Sequence, residues 1–195
     1  MFFTVEGCNG AGKSFFIDYL VDFLEKKELS VFRTKEPSSK FNNLDENIVG
    51  IELFFKLIKD RDYHIHNEIL PALQEKRIVV CDRYIESTLV YQRLDGLSLQ
   101  KIWSYNKNFP IPDLCFFIDT PDKLIKERLL KRNYLTRFED DFYRNAEKRY
   151  YEEAISFLQK RGFKYFRVLN FSLDNTKEIE ELIISYLTIG KDYRI

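Results

Sequence analysis

The sequence has little of what marks several large classes of protein. Lys and Arg together number 31, as do Asp and Glu, so no net charge attracts the chain to nucleic acid or to an anionic membrane. No apolar run approaches the roughly 18 residues of a membrane span. The first residues also lack the basic start and long apolar stretch of a signal peptide. These absences predict a cytoplasmic protein with no nucleic-acid or membrane partner.

Cysteine and histidine are scarce as well. Cys8, Cys81 and Cys115 are an odd number of thiols in no metal-ligand spacing, and two of them lie in apolar runs typical of buried strands. We therefore expect free thiols. His64 and His66 are two residues apart in a helical stretch and so face different sides, which favours structural roles over a metal or acid/base role.

What the chain does have is an alternation of short apolar runs with amphipathic stretches. With 195 residues and 45% hydrophobic content, it predicts a single domain over 1–195. The alternation indicates an α/β fold with a five-stranded parallel sheet and helices on both faces. The predicted strands are 2–5, 30–33, 77–82, 114–119 and 165–169.

Several helices are predicted between these strands. One near 65–73 should bend at Pro71. Another follows from apolar residues that recur every four positions. They are Phe138, Phe142, Ala146, Tyr150, Ala154 and Leu158.

The strongest chemical signal is GCNGAGKS at 7–14, which matches G-x-x-x-x-G-K-[ST] between a predicted strand and a predicted helix. Its glycines allow successive N–H groups to turn inward around phosphate oxygens at a helix N-terminus. Lys13 adds a charge for the β- and γ-phosphates, and the Ser14 hydroxyl can ligate Mg²⁺. The predicted ATP-binding residues in this P-loop are Gly7, Cys8, Asn9, Gly10, Ala11, Gly12, Lys13 and Ser14.

A second signal lies where the strand at 77–82 ends. Asp82 stands at the sheet edge where doubly wound folds bind ligands, so it is predicted to hold Mg²⁺ or position water, with a purely structural role as the alternative. The next residue, Arg83, can hold a second phosphate bidentately. Two phosphate-binding groups predict two phosphorylated substrates.

A third signal is a cluster of cations around a short turn between two helices. It consists of Arg128, Lys131, Arg132 and Arg137. A solvated surface turn is one interpretation. In a P-loop protein, however, arginines that close over the transferred phosphoryl group supply the charge compensation that this chemistry requires. We therefore predict a lid at about 131–138, with Arg128 at the ATP.

Together these segments resemble the thymidylate kinases, which transfer the γ-phosphate of ATP to dTMP. The resemblance covers most of the chain and keeps the family's order and spacing. It rests on VEGCNGAGKS, TKEP at 34–37, KDRDYH at 59–64, DRYIESTLVYQ at 82–92, PDLCFFID at 112–119 and TRFE at 136–139. It implies a P-loop NTPase fold with a short lid, Mg²⁺ as cofactor, ATP as donor, dTDP as a precursor of dTTP, and a homodimer.

The resemblance also implies an acceptor site. Arg83 would grip the monophosphate of dTMP, and Asp82 would organise Mg²⁺ and the acceptor. Arg61 would hydrogen-bond the thymine, Thr88 would contact the base edge, and Tyr91 would crowd the sugar 2′ position and so disfavour ribonucleotides. The other implied dTMP-binding residues are Asn9, Glu36, Pro37, Leu57, Ser87 and Gln92. The implied catalytic set is Lys13, Asp82, Arg83, Arg132 and Arg137.

Three departures from the family pattern bear on the acceptor. Asn9 replaces an aspartate that contacts the sugar 3′-hydroxyl, so a charge is lost while a hydrogen bond can be kept. Leu57 replaces a phenylalanine that stacks on thymine, a contact of about 1 kcal/mol beyond burial. Phe54 or Phe55 could substitute if the helix register differs by a turn. No glycine follows Pro37.

The same residues bear on other functions. A GTPase is excluded because no N-K-x-D is present and no Asp stands three residues before a glycine. A mechanical ATPase is disfavoured because Arg83, and not a glutamate, follows Asp82. A kinase for another acceptor, such as dUMP or a deoxynucleoside, and a catalytically silent nucleotide-binding module stay open.

Overall fold

A five-stranded, wholly parallel sheet forms the centre of the protein. The computed structural model describes residues 1–41, 48–131, 141–174 and 176–192. The sheet order is β2-β3-β1-β4-β5, with every neighbouring pair parallel. The strands are β1 Phe2–Glu6, β2 Val31–Lys35, β3 Ile78–Asp82, β4 Leu114–Asp119 and β5 Tyr165–Leu169. The predicted sheet is confirmed, with strand ends displaced by no more than two residues.

Helices connect the strands and cover the sheet. They are α1 Lys13–Glu25, α2 Gly50–His64, α3 Leu70–Gln74, α4 Ile85–Leu94, α5 Leu99–Asn106, α6 Asp122–Leu130, α7 Asp141–Gln159 and α8 Lys177–Asp192. A π-helical turn, Ile65–Ile69, joins α2 to α3, and Pro71 lies in the first turn of α3. The helix predicted near 65–73 is thus the irregular end of a longer helical segment. Proline lacks an N–H, so the regular bonding pattern changes just before it.

Two apolar cores lie on the two faces of the sheet. On one face, Phe16 and Leu20 of α1 and Ile183 of α8 pack against the strands. On the other face, Leu89 of α4 and Ala154 of α7 belong to a separate cluster. Helices therefore cover both faces, as predicted, and the apolar strands are buried between them.

Helix α7 buries the predicted row in its second half, where Ala154 and Leu158 are fully buried, but not in its first half. Glu147 and Tyr151, which are outside the predicted apolar row, are buried, whereas its members Ala146 and Tyr150 are only half-buried. The residue Phe138, which opened that row, lies outside the described residues. Glu147 and Tyr151 turn inward because they meet polar partners on α4, and hydrogen bonds with Tyr91 and Ser87 compensate their burial.

The cysteines match the prediction of free thiols. Cys8, Cys81 and Cys115 are all buried and unpaired. Burial raises the pKa of each thiol, which keeps them protonated and unreactive. Over the described ranges, no helix is long and apolar enough to cross a bilayer.

The strand order determines where a ligand can bind. β1 lies between β3 and β4, and Val5 near the end of β1 pairs with Asp82 at the end of β3. The segments that leave β1 and β3 therefore start side by side at the carboxyl edge of the sheet. That edge is where open α/β sheets bind ligands.

Candidate active site

The loop between β1 and α1 has a backbone that only glycine tolerates at two positions. Gly7 has φ of +146°, and a Cβ there would lie 2.6 Å from the backbone oxygen of Ile118. Gly12 has φ of +100° directly before α1. The loop closes on itself through a bond of 3.1 Å from the Ala11 N–H to the Cys8 carbonyl. A compact turn thus leads into a helix N-terminus, which is the geometry of a phosphate site.

Lys13 is folded back over this loop. Its Nζ donates to the carbonyls of Gly7 at 2.9 Å and Cys8 at 3.1 Å. Burial and the nearby charge of Arg83 lower the pKa of Lys13 to about 8, although the carboxylates of Asp82, Glu6 and Glu147 act in the opposite direction. A bound anion would raise this pKa again, because a negative charge stabilises the ammonium group.

Two side chains from β4 and α6 hold the outer wall of the loop. Thr120, just after β4, donates through Oγ1 to the Ala11 carbonyl at 2.8 Å. Arg128 donates through Nη1 to the carbonyls of Ala11 at 2.9 Å and Gly10 at 3.3 Å. Arg128, which was predicted to contact ATP, therefore lies against the P-loop backbone.

Asp82 and Ser14 offer hard oxygen ligands beside Lys13. The Asp82 Oδ1 atom is buried and has no hydrogen-bond partner among the described residues. The Ser14 hydroxyl is exposed on the first turn of α1. In the described part of the chain, no cluster of three or more His, Cys, Asp or Glu side chains could hold a metal. These residues fit Mg²⁺, which takes few protein ligands and completes its shell with substrate phosphates and water.

Arg83 bridges the P-loop and α4. Its φ of +70° is unusual for a residue with a side chain and costs on the order of 1–3 kcal/mol. Its Nη2 donates to the Asn9 Oδ1 at 2.5 Å. Its Nη1 donates to the Ser87 Oγ at 2.9 Å and to the hydroxyls of Tyr91 and Tyr151, both at 3.2 Å. The strained backbone thus aims the guanidinium at the space in front of the P-loop.

The Glu6 carboxylate, at the end of β1, fixes the start of α4. It accepts hydrogen bonds from the backbone N–H groups of Tyr84 at 2.7 Å and Ser87 at 3.1 Å. It also accepts from the hydroxyls of Ser87 at 2.7 Å and Tyr151 at 3.1 Å. Burial raises the pKa of Glu6, while Arg83 and the donated hydrogen bonds oppose that change. Glu6 therefore positions the segment that carries Arg83.

The loop after β2 is tied to α2 by a buried ion pair. The Arg61 Nε lies 2.8 Å from Glu36 Oε2, and its Nη2 donates to the Tyr84 carbonyl at 3.0 Å and Thr88 Oγ1 at 2.8 Å. Its Nη1 donates to Asn106 Oδ1. Burial opposes ionisation of Glu36, but Arg61 and His64 together lower the pKa of the carboxyl below 4.5. Arg61 is thus held rigidly in one orientation.

Ser38 and His64 contribute further contacts to the same loop. Glu36 and Pro37 are joined by a cis peptide bond. Ser38, which follows Pro37, donates through its N–H to Asp60 Oδ2 at 2.7 Å. Its hydroxyl donates to the other oxygen of the same carboxylate, Asp60 Oδ1. His64 is buried with Nδ1 3.4 Å from Glu36 Oε1, which agrees with the structural role predicted for it.

The remaining residues implied for the acceptor lie on α2 and α4. Leu57 is half-buried, and Gln92 is buried on α4. Phe54 is fully buried and contacts Phe55 and Tyr105, with ring centroids 5.4 and 5.5 Å away. Both phenylalanines that could replace an aromatic at position 57 therefore already pack against protein rings.

Most of the predicted lid lies outside the residues that the structure describes. Arg132 and Arg137 lie outside the described residues, and only Lys131 of the segment 131–138 falls within them. Their predicted contacts with ATP stay predictions.

Comparisons with known proteins decide the family. A model of the thymidylate kinase family matches residues 5–161. The chain belongs to that family. It is 30% identical to a probable thymidylate kinase of Pyrococcus abyssi, over 94% of each chain. It is 34% identical to one of Archaeoglobus fulgidus, over 79% of this chain and 82% of that protein. It is also 34% identical to a thymidylate kinase of Rickettsia rickettsii, over 95% of this chain and 96% of that one.

Membership in the thymidylate kinase family makes the chain a kinase that takes nucleotides as substrates. The motifs located the P-loop and the segment at Asp82 and Arg83, which the structure brings together. They did not indicate Glu6, Thr120 or Glu147. For Glu6 and Thr120, the available signal was a polar side chain inside or directly after an otherwise apolar strand, since such groups are buried only with partners, whereas Glu147 lies in a charged helix and gave no such signal.

Proposed function

We propose that this thymidylate kinase relative transfers the γ-phosphate of ATP to dTMP with Mg²⁺, giving dTDP and ADP. The observation that carries the proposal is the position of Arg83. It leaves β3 beside the P-loop of β1, and its guanidinium contacts Asn9 of that loop at 2.5 Å. A second phosphate-binding group thus faces the first, as transfer between two phosphorylated substrates requires.

The donor phosphates would bind in the P-loop. Its N–H groups and Lys13 would compensate the negative charge, and Arg128 would support the loop from outside. Asp82 and Ser14 would hold Mg²⁺, which neutralises charge on the phosphates when bound. The buried Asp82 Oδ1 without a described partner supports this assignment.

The acceptor phosphate would bind to Arg83, which Ser87 and Tyr91 hold in place. The base would lie near Arg61, because Glu36 and Thr88 hold that guanidinium in one orientation at the same edge of the sheet. The guanidinium would form the floor of the base pocket. Polar contacts fixed in advance lower the cost of ordering the site when the substrate binds.

The base pocket would be completed by residues around this floor. They are Pro37, Leu57 and Gln92. Pro37 follows Glu36 in the loop after β2, while the half-buried Leu57 precedes Arg61 by one helical turn. Leucine buries apolar surface without stacking, so binding of thymine would depend more on the polar groups than in relatives with phenylalanine.

Transfer would be direct and in line, without a covalent enzyme intermediate, and positioning and electrostatics would supply most of the rate. Arg132 and Arg137, in a lid at about 131–138 of one domain spanning 1–195, would close over the transferred group. Their cationic sequence pattern and the absence of a basic residue at Asn9, Gly10 or Ala11 support this role.

We further propose a homodimer. Ile51 and Phe55 lie one helical turn apart on α2 and are exposed, and Phe55 contacts the exposed Tyr105 at 5.3 Å. An exposed apolar surface of this kind fits a second copy of the chain. Light scattering should give twice the protomer mass of 23.5 kDa, and Phe55→Asp should give the protomer mass.

Three free cysteines support a location in the reducing cytoplasm.

The activity is tested by measuring ADP formation from ATP and Mg²⁺ with dTMP, dUMP, ribosyl TMP, CMP, AMP and thymidine in parallel. We expect turnover to be fastest with dTMP. Lys13→Ala should abolish transfer to every acceptor, because the charge on the transferred group is then uncompensated. Lys26→Ala, a change just after α1 at an exposed position, is the matched control and should leave turnover unchanged.

The same assay separates the alternatives. No turnover on any acceptor would show a silent nucleotide-binding module. A clear preference for dUMP or thymidine would reassign the acceptor and leave the donor side of the proposal intact.

A further inference from the structure

Glu147 is a buried carboxylate with no place in the transfer scheme above. It lies on α7 with an exposed fraction of 1%. Its Oε1 accepts a hydrogen bond of 2.5 Å from the Tyr91 hydroxyl and one of 3.1 Å from the backbone N–H of Asn9. Burying a carboxylate is costly, because its charge is removed from water. Both of these donors contact the same oxygen, Oε1.

The two partners of Glu147 locate it relative to the acceptor. Asn9 and Tyr91 are the residues of the proposed site that face the sugar, one at the 3′ position and the other at the 2′ position. They come from different elements, the P-loop and α4, and they meet on the single oxygen Oε1. In the proposed complex, the Glu147 carboxylate would therefore lie at the hydroxyl-bearing edge of the sugar.

Asn9 can keep a hydrogen bond to the sugar, but it lacks the charge of the aspartate that it replaces. Its one acceptor atom, Oδ1, is 2.5 Å from Arg83 Nη2, and its amide nitrogen can only donate. A charged acceptor for a sugar hydroxyl must therefore come from another residue. In the described part of this region, Glu147 is the carboxylate that contacts both sugar-side residues.

We propose that Glu147 accepts the hydrogen bond of the acceptor's 3′-hydroxyl and so determines preference for a nucleotide that carries this group. The proposal rests on the proposed function. It is also compatible with Asn9, because a carboxylate that contacts the Asn9 N–H would supply the charge that the Asn9 side chain lacks. In this chain, the carboxylate that bonds the 3′-hydroxyl would come from α7 and not from the P-loop.

The test compares dTMP with its 3′-deoxy analogue as acceptors. In Glu147→Gln, the remaining carbonyl oxygen is needed by the Tyr91 hydroxyl and the Asn9 N–H, so the amide cannot accept from the sugar. A hydrogen bond to a charged group supports a change of about tenfold or more. We expect KM for dTMP to rise by that factor, while KM for the 3′-deoxy analogue changes by less than about twofold. Glu153→Gln, on the exposed side of the same helix, should change neither KM.

Position 9 supplies an independent test that does not require Glu147→Gln to fold. In the otherwise unchanged chain, Asn9→Asp should not strengthen the preference for dTMP over the 3′-deoxy analogue. In the double variant with Glu147→Gln, the same change should restore that preference. Thermal unfolding of each variant separates loss of fold from loss of specificity.

The outcomes are distinct. Equal increases of KM for both acceptors in Glu147→Gln would overturn the role of Glu147, as would a tenfold gain in preference from Asn9→Asp alone. If the unaltered chain phosphorylates neither acceptor, the proposed function fails, and this inference fails with it.

Discussion

The substitution Lys13→Met is expected to reveal a cost that the P-loop imposes on the unliganded protein. Burial and the charge of Arg83 lower the pKa of Lys13 from 10.5 to about 8. At pH 7 the lysine is protonated in both the folded and the unfolded chain. The folded state then carries a buried charge that is less stable there than in water.

The magnitude follows from the two pKa values. The difference between 10.5 and about 8 corresponds to about 3 kcal/mol of free energy of unfolding at pH 7. Methionine removes this cost but also removes the hydrogen bonds to Gly7 and Cys8, which contribute about 1 kcal/mol each. The variant should therefore be more stable than the parent by about 1 kcal/mol at pH 7.

The pH dependence gives the sharper result. Between pH 8 and 10.5 the unfolded lysine binds a proton that the folded one has released, so the stability of the parent rises with pH relative to the variant. From pH 7 to 9.5, the free energy of unfolding of the parent should rise by about 2 kcal/mol relative to that of the variant. The parent, which is the less stable protein at pH 7, then becomes the more stable one.

The assay is urea unfolding of both proteins at pH 7 and at pH 9.5. Groups that titrate equally in both proteins cancel in the difference. Lys26→Met, at an exposed position, is the control and should give a difference independent of pH. The reasoning is refuted if the difference in free energy of unfolding between the parent and Lys13→Met is the same at both pH values. It is also refuted if the variant gains stability relative to the parent as the pH rises.

Three further predictions concern single contacts. Gly7→Ala would put a Cβ 2.6 Å from the Ile118 oxygen, so denaturant unfolding should show a loss of at least about 2 kcal/mol, and a loss under about 0.5 kcal/mol would contradict the steric argument. Thr120→Val removes the bond to Ala11 and should raise KM for ATP but not for dTMP; a change confined to dTMP would show that Thr120 acts elsewhere. Glu36 has a pKa lowered below 4.5, so its ionised form stabilises the fold above pH 4.5, and that contribution is lost as the pH falls through the lowered pKa. Glu36→Gln should therefore show a smaller loss of stability than the parent between pH 7 and 3.5, and equal losses would exclude the effect.

The sheet could be predicted from the sequence because each strand is encoded locally. β3 reads IVVCD and β4 reads LCFFID, short runs that suit a buried parallel strand and are too short for a helix. The P-loop was equally local, since its glycines, Lys13 and Ser14 are adjacent in the chain. Helix α7 was the weakest prediction, because a row of apolar side chains does not show that Glu147 and Tyr151 meet polar partners and turn inward.

The contacts within the site could not be predicted, because they join distant parts of the chain. Glu6 fixes the start of α4 from a position 78 residues away, and this depends on β1 lying next to β3. The φ of +70° at Arg83 has no sequence signal either, since it is stabilised by contacts that only the fold supplies.

The sequence by itself determined the phosphate-binding loop and the elements that carry it, since hydrophobic periodicity and glycine torsions are local properties. Tertiary structure alone decided what surrounds Asn9. As a residue in the sequence, Asn9 is only an aspartate position without its charge. In the fold, its N–H meets Glu147 from 138 residues further along the chain, and a buried carboxylate stands where the P-loop lacks one. Parallel strand order and the packing of α7 on α4 produce that meeting, and no local pattern encodes it.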